Sequence, residues 1–207
     1  ITGGSGITSG GAGISGGSSV VMTGGTVTGG TAQTVGGAAI ERARSVAISG
    51  GTVTGGSNGY GDAAPAIQGG SIHITGGSVI GDLQKIDGLA LSAGEIQGNV
   101  QLARGFATIN SGTVTGTIAY TGPSSLTVQG GSLTGSLTLS LTRGASVVVH
   151  GGSFHGGWRL ADRSTATVYG SGLTFSNGQL TGTLADGSPI DIHVDVGLNS
   201  HVYIHNS

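Results

Sequence analysis

Residues 48–55 read ISGGTVTG, and the phrase returns as ITGGSVIG at 74–81, VQGGSLTG at 128–135 and VHGGSFHG at 149–156. Looser copies occupy 22–29, 91–98 and 109–116. The common unit is I-x-G-G-x-V-x-G. Its first apolar anchor is Met22, Ile48, Ile74, Leu91, Ile109, Val128 or Val149, and its second lies five residues on, at Val27, Val53, Val79, Ile96, Val114, Leu133 and Phe154. In a continuous strand the side chains alternate, so residues an odd step apart face opposite sides. Both anchors reach one core only if the backbone bends between them, and the Gly-Gly or Ser-Gly pair supplies the bend because glycine tolerates positive φ. Four residues beyond the second anchor lie Leu83, Val100, Ile118, Leu137 and Trp158, an even step that faces inward again.

Successive second anchors are 26, 26, 17, 18, 19 and 21 residues apart. Stacked so that anchor meets anchor about every 4.8 Å, such units form a solenoid in which each coil buries its apolar set only against its neighbours. The expected fold is all-β, a right-handed parallel β-helix of roughly nine or ten coils and about 45 Å. It spans 1–207 as a single domain, with an incomplete first coil at 1–17, repeat coils at 18–184 and a C-terminal cap at 185–207. The extra length of the longest coils is expected to bulge from one corner as loops, at 31–44 and 57–70. The segment LTGTL at 180–184 reads as the last copy of the second half-unit, preceded by a hairpin-like insertion. The cap should shield strand edges that would otherwise pair with other chains. An antiparallel β-sandwich is the alternative, although it has no need of the same corner in the same place. A left-handed β-helix would keep one fixed coil length, which these units do not.

The 207 residues include 46 glycines and are 8% charged, 4% aromatic and 36% hydrophobic. Glycine does not fall at every third position, which excludes collagen, and the apolar residues recur in register, which disfavours disorder. With a net charge of -2, one lysine (Lys85) and scattered arginines, the chain offers no basic face to nucleic acid. No apolar run approaches the roughly 18 residues of a membrane span, so membrane insertion is not expected. Residues 1–17 lack the charged and apolar regions of a signal peptide. Two readings follow, export by a segment removed earlier or a cytosolic location. The absence of cysteine excludes disulfides and thiolate metal sites but does not choose between them. Richness in serine, threonine and glycine with so little lysine points to export.

Two stretches, AAIERARSVAISGGTVTGG at 38–56 and APAIQGGSIHITGGSV at 64–79, resemble the β-helical repeats of large bacterial surface proteins of the autotransporter and adhesin kind. The later STATVYGSGLTFSNGQLTGTLADGSPIDIHV, at 164–194, resembles the end of repeat regions in exported bacterial proteins of the PEP-CTERM sorting class, LTGTLADG being its most specific phrase. The resemblance implies export and attachment to, or release into, an extracellular polysaccharide matrix. It brings no catalytic residues, and the final residues His205, Asn206 and Ser207 are not the sorting tail of that class.

Many right-handed β-helices are polysaccharide lyases or hydrolases, which need clustered acids with a base nearby. Most of the acids here, Glu41, Asp62, Asp82, Asp87, Glu95, Asp162, Asp186, Asp191 and Asp195, are isolated in sequence. Asp82 and Glu95, with Lys85 and Gln97, come closest to a pair, yet they read as solvated surface charges. Neither a catalytic residue nor a cofactor is expected. Asp191, His193 and Asp195 alternate on one strand face, with His201 and His205 on the next, and could offer oxygen and imidazole ligands to zinc or calcium. The plainer reading is the polar side of a half-exposed strand. His150 and His155 flank a glycine corner and are expected to be exposed. Trp158 falls in the inward register, whereas Tyr60, with Asn58 and Asp62 in the loop SNGYGDAAP, is the best candidate for a weak ligand contact. Thr-Val-Thr at 26–28, 52–54 and 113–115 raises ice binding, but Glu95 and His155 interrupt the threonine array.

These features point to a non-enzymatic scaffold, an extracellular or cell-surface element with weak multivalent contacts to polysaccharide or, end to end, to its own copies. A carbohydrate-active enzyme or lectin-like module using the long loops is the second reading.

Overall fold

The computed structural model describes residues 1–122, 124–139, 145–161 and 163–207, the side chain of Leu139 excepted. Among them the regular structure is all β, with nine strands closed into a barrel and further strands outside it. No helix among the described residues is long and apolar enough to cross a membrane.

The anchors form three ladders in which each residue pairs, in parallel register, with its counterpart one repeat later. The first runs Met22, Ile48, Ile74, Leu91, Ile109, Val128, Val149, Val168, Ile204. The second runs Val27, Val53, Val79, Ile96, Val114, Leu133, Phe154. The third runs Ile14, Ile40, Ile67, Leu83, Val100, Ile118, Leu137, Trp158, Val194. Ile48 and Val53, five residues apart, are 1% and 0% exposed, so the bend does turn both inward. Each buried aliphatic side chain of a ladder contributes on the order of 1.5–3 kcal/mol, and the three ladders share one core.

Two glycine columns make the corners, for different reasons. The second residue of each anchor-to-anchor pair, from Gly25 and Gly51 to Gly131 and Gly152, has φ between 77° and 103°. The first residue of the pair has no positive φ, and there the chain itself accepts Ala93 and Ser111. The closing glycines Gly98, Gly116, Gly135 and Gly156 are instead crowded. A Cβ on each would strike the carbonyl of the closing glycine one coil earlier.

The expected loops at 31–44 and 57–70 are shorter than the sequence reading has them. The chain leaves the wall at a glycine and returns a few residues later, each neck closed by a backbone bond: Gly11 N–H to the Gly4 carbonyl (2.7 Å), Gly37 N–H to Gly30 (2.8 Å) and Ala64 N–H to Gly56 (2.7 Å). Gly30 N–H donates to Gly11 and Gly56 N–H to Gly37, which stitches the necks together. The excursions stack as well, through bridges Gly6 to Ala32, Ser9 to Val35 and Ala32 to Asn58, and so form a fin. Residues 38–40 and 64–67 are back in the wall, where Ile40 and Ile67 are fully buried.

Gly55 N–H donates to Ile80 and Ala66 N–H to Asp82, so residues 53–55 and 66–67 occupy the places of 79–83 in the following coil, which has no fin. Deleting 56–65 is therefore expected to leave a folded chain whose melting temperature changes by no more than a few degrees, read by circular dichroism. A collapse of the cooperative transition would show that the fin supports the wall.

At the C-terminal end Pro189–Val196 pairs in parallel with Trp158–Leu160, and His201–Asn206 with Thr165–Ser176, so the parallel ladders run on through 185–207 as far as residue 206. Gln179–Leu184 is not a last half-unit. It lies antiparallel between Thr165–Ser176 and Pro189–Val196, turned by Asn177 and Gly178 at φ 50° and 77°, as a tight hairpin with a twist-matched turn requires. This arm buries Leu173, Leu180, Ile190 and Ile192 in the same core. The period-two alternation of 189–196 suits a capping strand and a coil strand equally, and only the pairing partner separates them.

Candidate functional site

Most of the acidic residues have a partner of their own. Glu41 accepts from the Ser15 hydroxyl, Asp82 from both the backbone and side-chain amide of Asn99, and Asp87 and Asp195 sit 3.6 Å from Arg104 and Arg159. Glu95 stands on the strand between Ser78 and Thr113, whereas Asp82 lies at the next corner holding Asn99. Asp162 lies outside the described residues. For Asp186 burial alone would raise the pKa, but the N–H groups of Ser188 and Gly152 donate to its carboxylate and hold it below the usual value.

Asp191, His193 and Asp195 do alternate outward along one strand. Alternate residues on a strand stand about 6.6 Å apart, too far for three to share an ion. Asp191 accepts from Gln179 and Asp195 pairs with Arg159. Among the described residues no three histidine, aspartate or glutamate side chains converge as a metal site.

In the fin, Asn58 and Asp62 are occupied with the loop itself. Asn58 Oδ1 accepts the backbone N–H groups of Tyr60 and Asp62, and the Asn58 side-chain Nδ2 donates to the Asp62 carboxylate at 2.8 Å. Tyr60 is left 86% exposed. Trp158 is buried in the third ladder. His155 is exposed, but His150 is only partly so, because its ring stacks on Tyr169, which stacks in turn on His205, with centroids 4.5 and 4.7 Å apart. Tyr120 is fully buried, which pushes its phenol pKa far up.

The feature that sequence reasoning missed is the outside of the first ladder. Each strand there shows two side chains to solvent. One column is Ser19, Ser45, Ser71, Gly88, Phe106, Ser125, Ser146, Thr165, His201. The other is Val21, Ala47, His73, Ala90, Thr108, Thr127, Val148, Thr167, Tyr203. Neither contains Asp, Glu, Lys or Arg, and half of the positions are serine or threonine. The outside of the third ladder, by contrast, carries Glu41, Gln68, Gln84, Gln101, Arg159 and Asp195. A groove of about 390 Å³ crosses the uncharged wall where Gly88 and Ala90 lie between Ser71 and His73 on one side and Phe106 and Thr108 on the other. The signal was present in the sequence, one and three residues before each first anchor, where an odd step means outward.

Comparison with protein-family models, with curated proteins and with solved structures finds no match for the chain.

Proposed function

We propose that the chain is a right-handed parallel β-helix serving as a non-enzymatic, exported scaffold of a cell surface or extracellular matrix, with weak repeated contacts to polysaccharide along its length. The observation that carries this reading is the continuity of the first ladder from Met22 to Ile204, all of it in parallel register. An antiparallel sandwich has no place for such ladders. Parallel strands joined by crossovers are right-handed in about 98% of cases. The wall outside this ladder offers the same hydroxyl-rich surface coil after coil, a geometry suited to many weak contacts. Export rests on composition and on the resemblance of the repeat and of LTGTLADG to exported bacterial proteins. The engagement of most acids with separate partners favours a scaffold over a lyase or hydrolase, which needs them gathered.

The test combines small-angle scattering with retention on insoluble polysaccharides. An elongated particle, retained without degrading the polymer, is the expected result. A compact particle, release of sugar fragments, or passage through every polysaccharide unretained would overturn the reading.

A further inference from the structure

We infer that the groove beside Phe106 is a slot for one sugar ring of an uncharged polysaccharide; this rests on the polysaccharide-scaffold reading above and gives it a site. Phe106 is 76% exposed on a wall of mostly small and hydroxylated residues, where Val21 and Tyr203 are the other exposed large hydrophobic side chains, and a phenyl ring in water contributes nothing to the fold. Gly88, beneath it, is unlike the corner glycines. It has no positive φ, and a Cβ there would meet only the Phe106 carbonyl at 3.3 Å and the Ser71 hydroxyl at 3.7 Å. No turn demands a glycine at this position; an added Cβ would press on the Phe106 carbonyl, and its absence leaves the floor open. Ser71 and Phe106 stand two coil steps apart, about 9.6 Å, with Gly88 between them. His73 and Thr108 flank Ala90 in the same way.

A pyranose ring has an apolar C–H face and a rim of hydroxyls that both donate and accept. The slot offers the matching pair, an aromatic face for the first and the hydroxyls of Ser45, Ser71 and Thr108 for the second. No carboxylate, ammonium or guanidinium lines it, so a uronate or sulfated sugar would lose hydration with no counter-charge to replace it. The backbone groups of this wall are spent on the coils above and below, which removes strand addition by a peptide as an alternative.

The experiment is affinity electrophoresis of the whole chain in gels containing galactomannan, xylan or mixed-linkage glucan, and in parallel alginate. The variants are Phe106→Ala, Ala90→Gln, which fills the slot from an outward position, and Leu198→Ala, an exposed residue outside every candidate contact. Retardation by at least one neutral polymer is expected, weakened about tenfold or more by Phe106→Ala and Ala90→Gln and unchanged by Leu198→Ala. Circular dichroism shows that the variants are folded. Retardation that ignores Phe106 and Ala90 would sink the slot while leaving the polysaccharide reading standing. No retardation by any polymer would sink both. Equal, Phe106-dependent retardation by alginate would overturn the neutral ligand, and a Phe106-dependent dimer in sedimentation would assign the groove to a second copy.

Discussion

Gly112→Ala is expected to lower the melting temperature by about 6–12 °C, whereas Ser111→Ala, one residue earlier, should leave it within about 2 °C. Gly112 sits at φ 90°, and an added Cβ would lie 2.7 Å from the Gly94 carbonyl and 3.3 Å from the Leu91 side chain. Backbone strain of this kind costs about 1–3 kcal/mol, to which the close approach adds. In a chain of this length about 1 kcal/mol moves the midpoint by about 2–4 °C. Ser111 is exposed and has no positive φ, so its truncation should stay within about 0.5 kcal/mol. The measurement is thermal unfolding followed by circular dichroism. Equal effects at the two positions would mean that the bend does not depend on a left-handed residue, and the account of the corners would fail.

The second large effect is expected at Trp158. This side chain is 2% exposed, stacked between Leu137 and Val194 in the third ladder, and meets Phe154 edge to face at 5.1 Å. Trp158→Ala removes the largest side chain of the ladder from a site that the coil below cannot refill, at a cost of about 3–5 kcal/mol. Trp158→Phe should cost less than about 1.5 kcal/mol, because the indole N–H has no partner among the described residues and its loss breaks no bond. In the proposed β-helix, coils buried by their neighbours loosen locally, so limited proteolysis of Trp158→Ala should cut within the 170–192 arm before the earlier repeats. Uniform resistance along the chain, or equal losses for the two variants, would contradict the placement of Trp158 as the support of the last coils.

Much of the all-β strand pattern was legible because the geometry of a strand and its bend is local. An odd step of five between apolar anchors, with a glycine pair inside it, has one solution that keeps both anchors dry, and Ile48 and Val53 adopt it. Likewise an even step of four places Leu83 and Trp158 inside. The candidate binding residues fared differently. Tyr60 is exposed as a contact residue must be, but Asn58 and Asp62 turned out to hold their own loop. Side-chain bonding inside a short excursion depends on how its neck closes, and the glycines that close it read as any other glycine pair.

Three further matters were settled only by the assembled chain. The fin exists because Gly30, Gly37 and Gly56 bring successive necks into backbone contact, which no single repeat encodes. Pro189–Val196 continues the third ladder because Trp158 lies beside it, although its alternation fits other partners equally well. The uncharged wall arises because nine strands align in register, so that scattered serines and threonines become two columns with Phe106 standing above Gly88. What the sequence alone determined is which way each residue faces, since that follows from backbone geometry between near neighbours. What lies beside each residue is set by coils some twenty residues away, through contacts that exist only once the stack has formed.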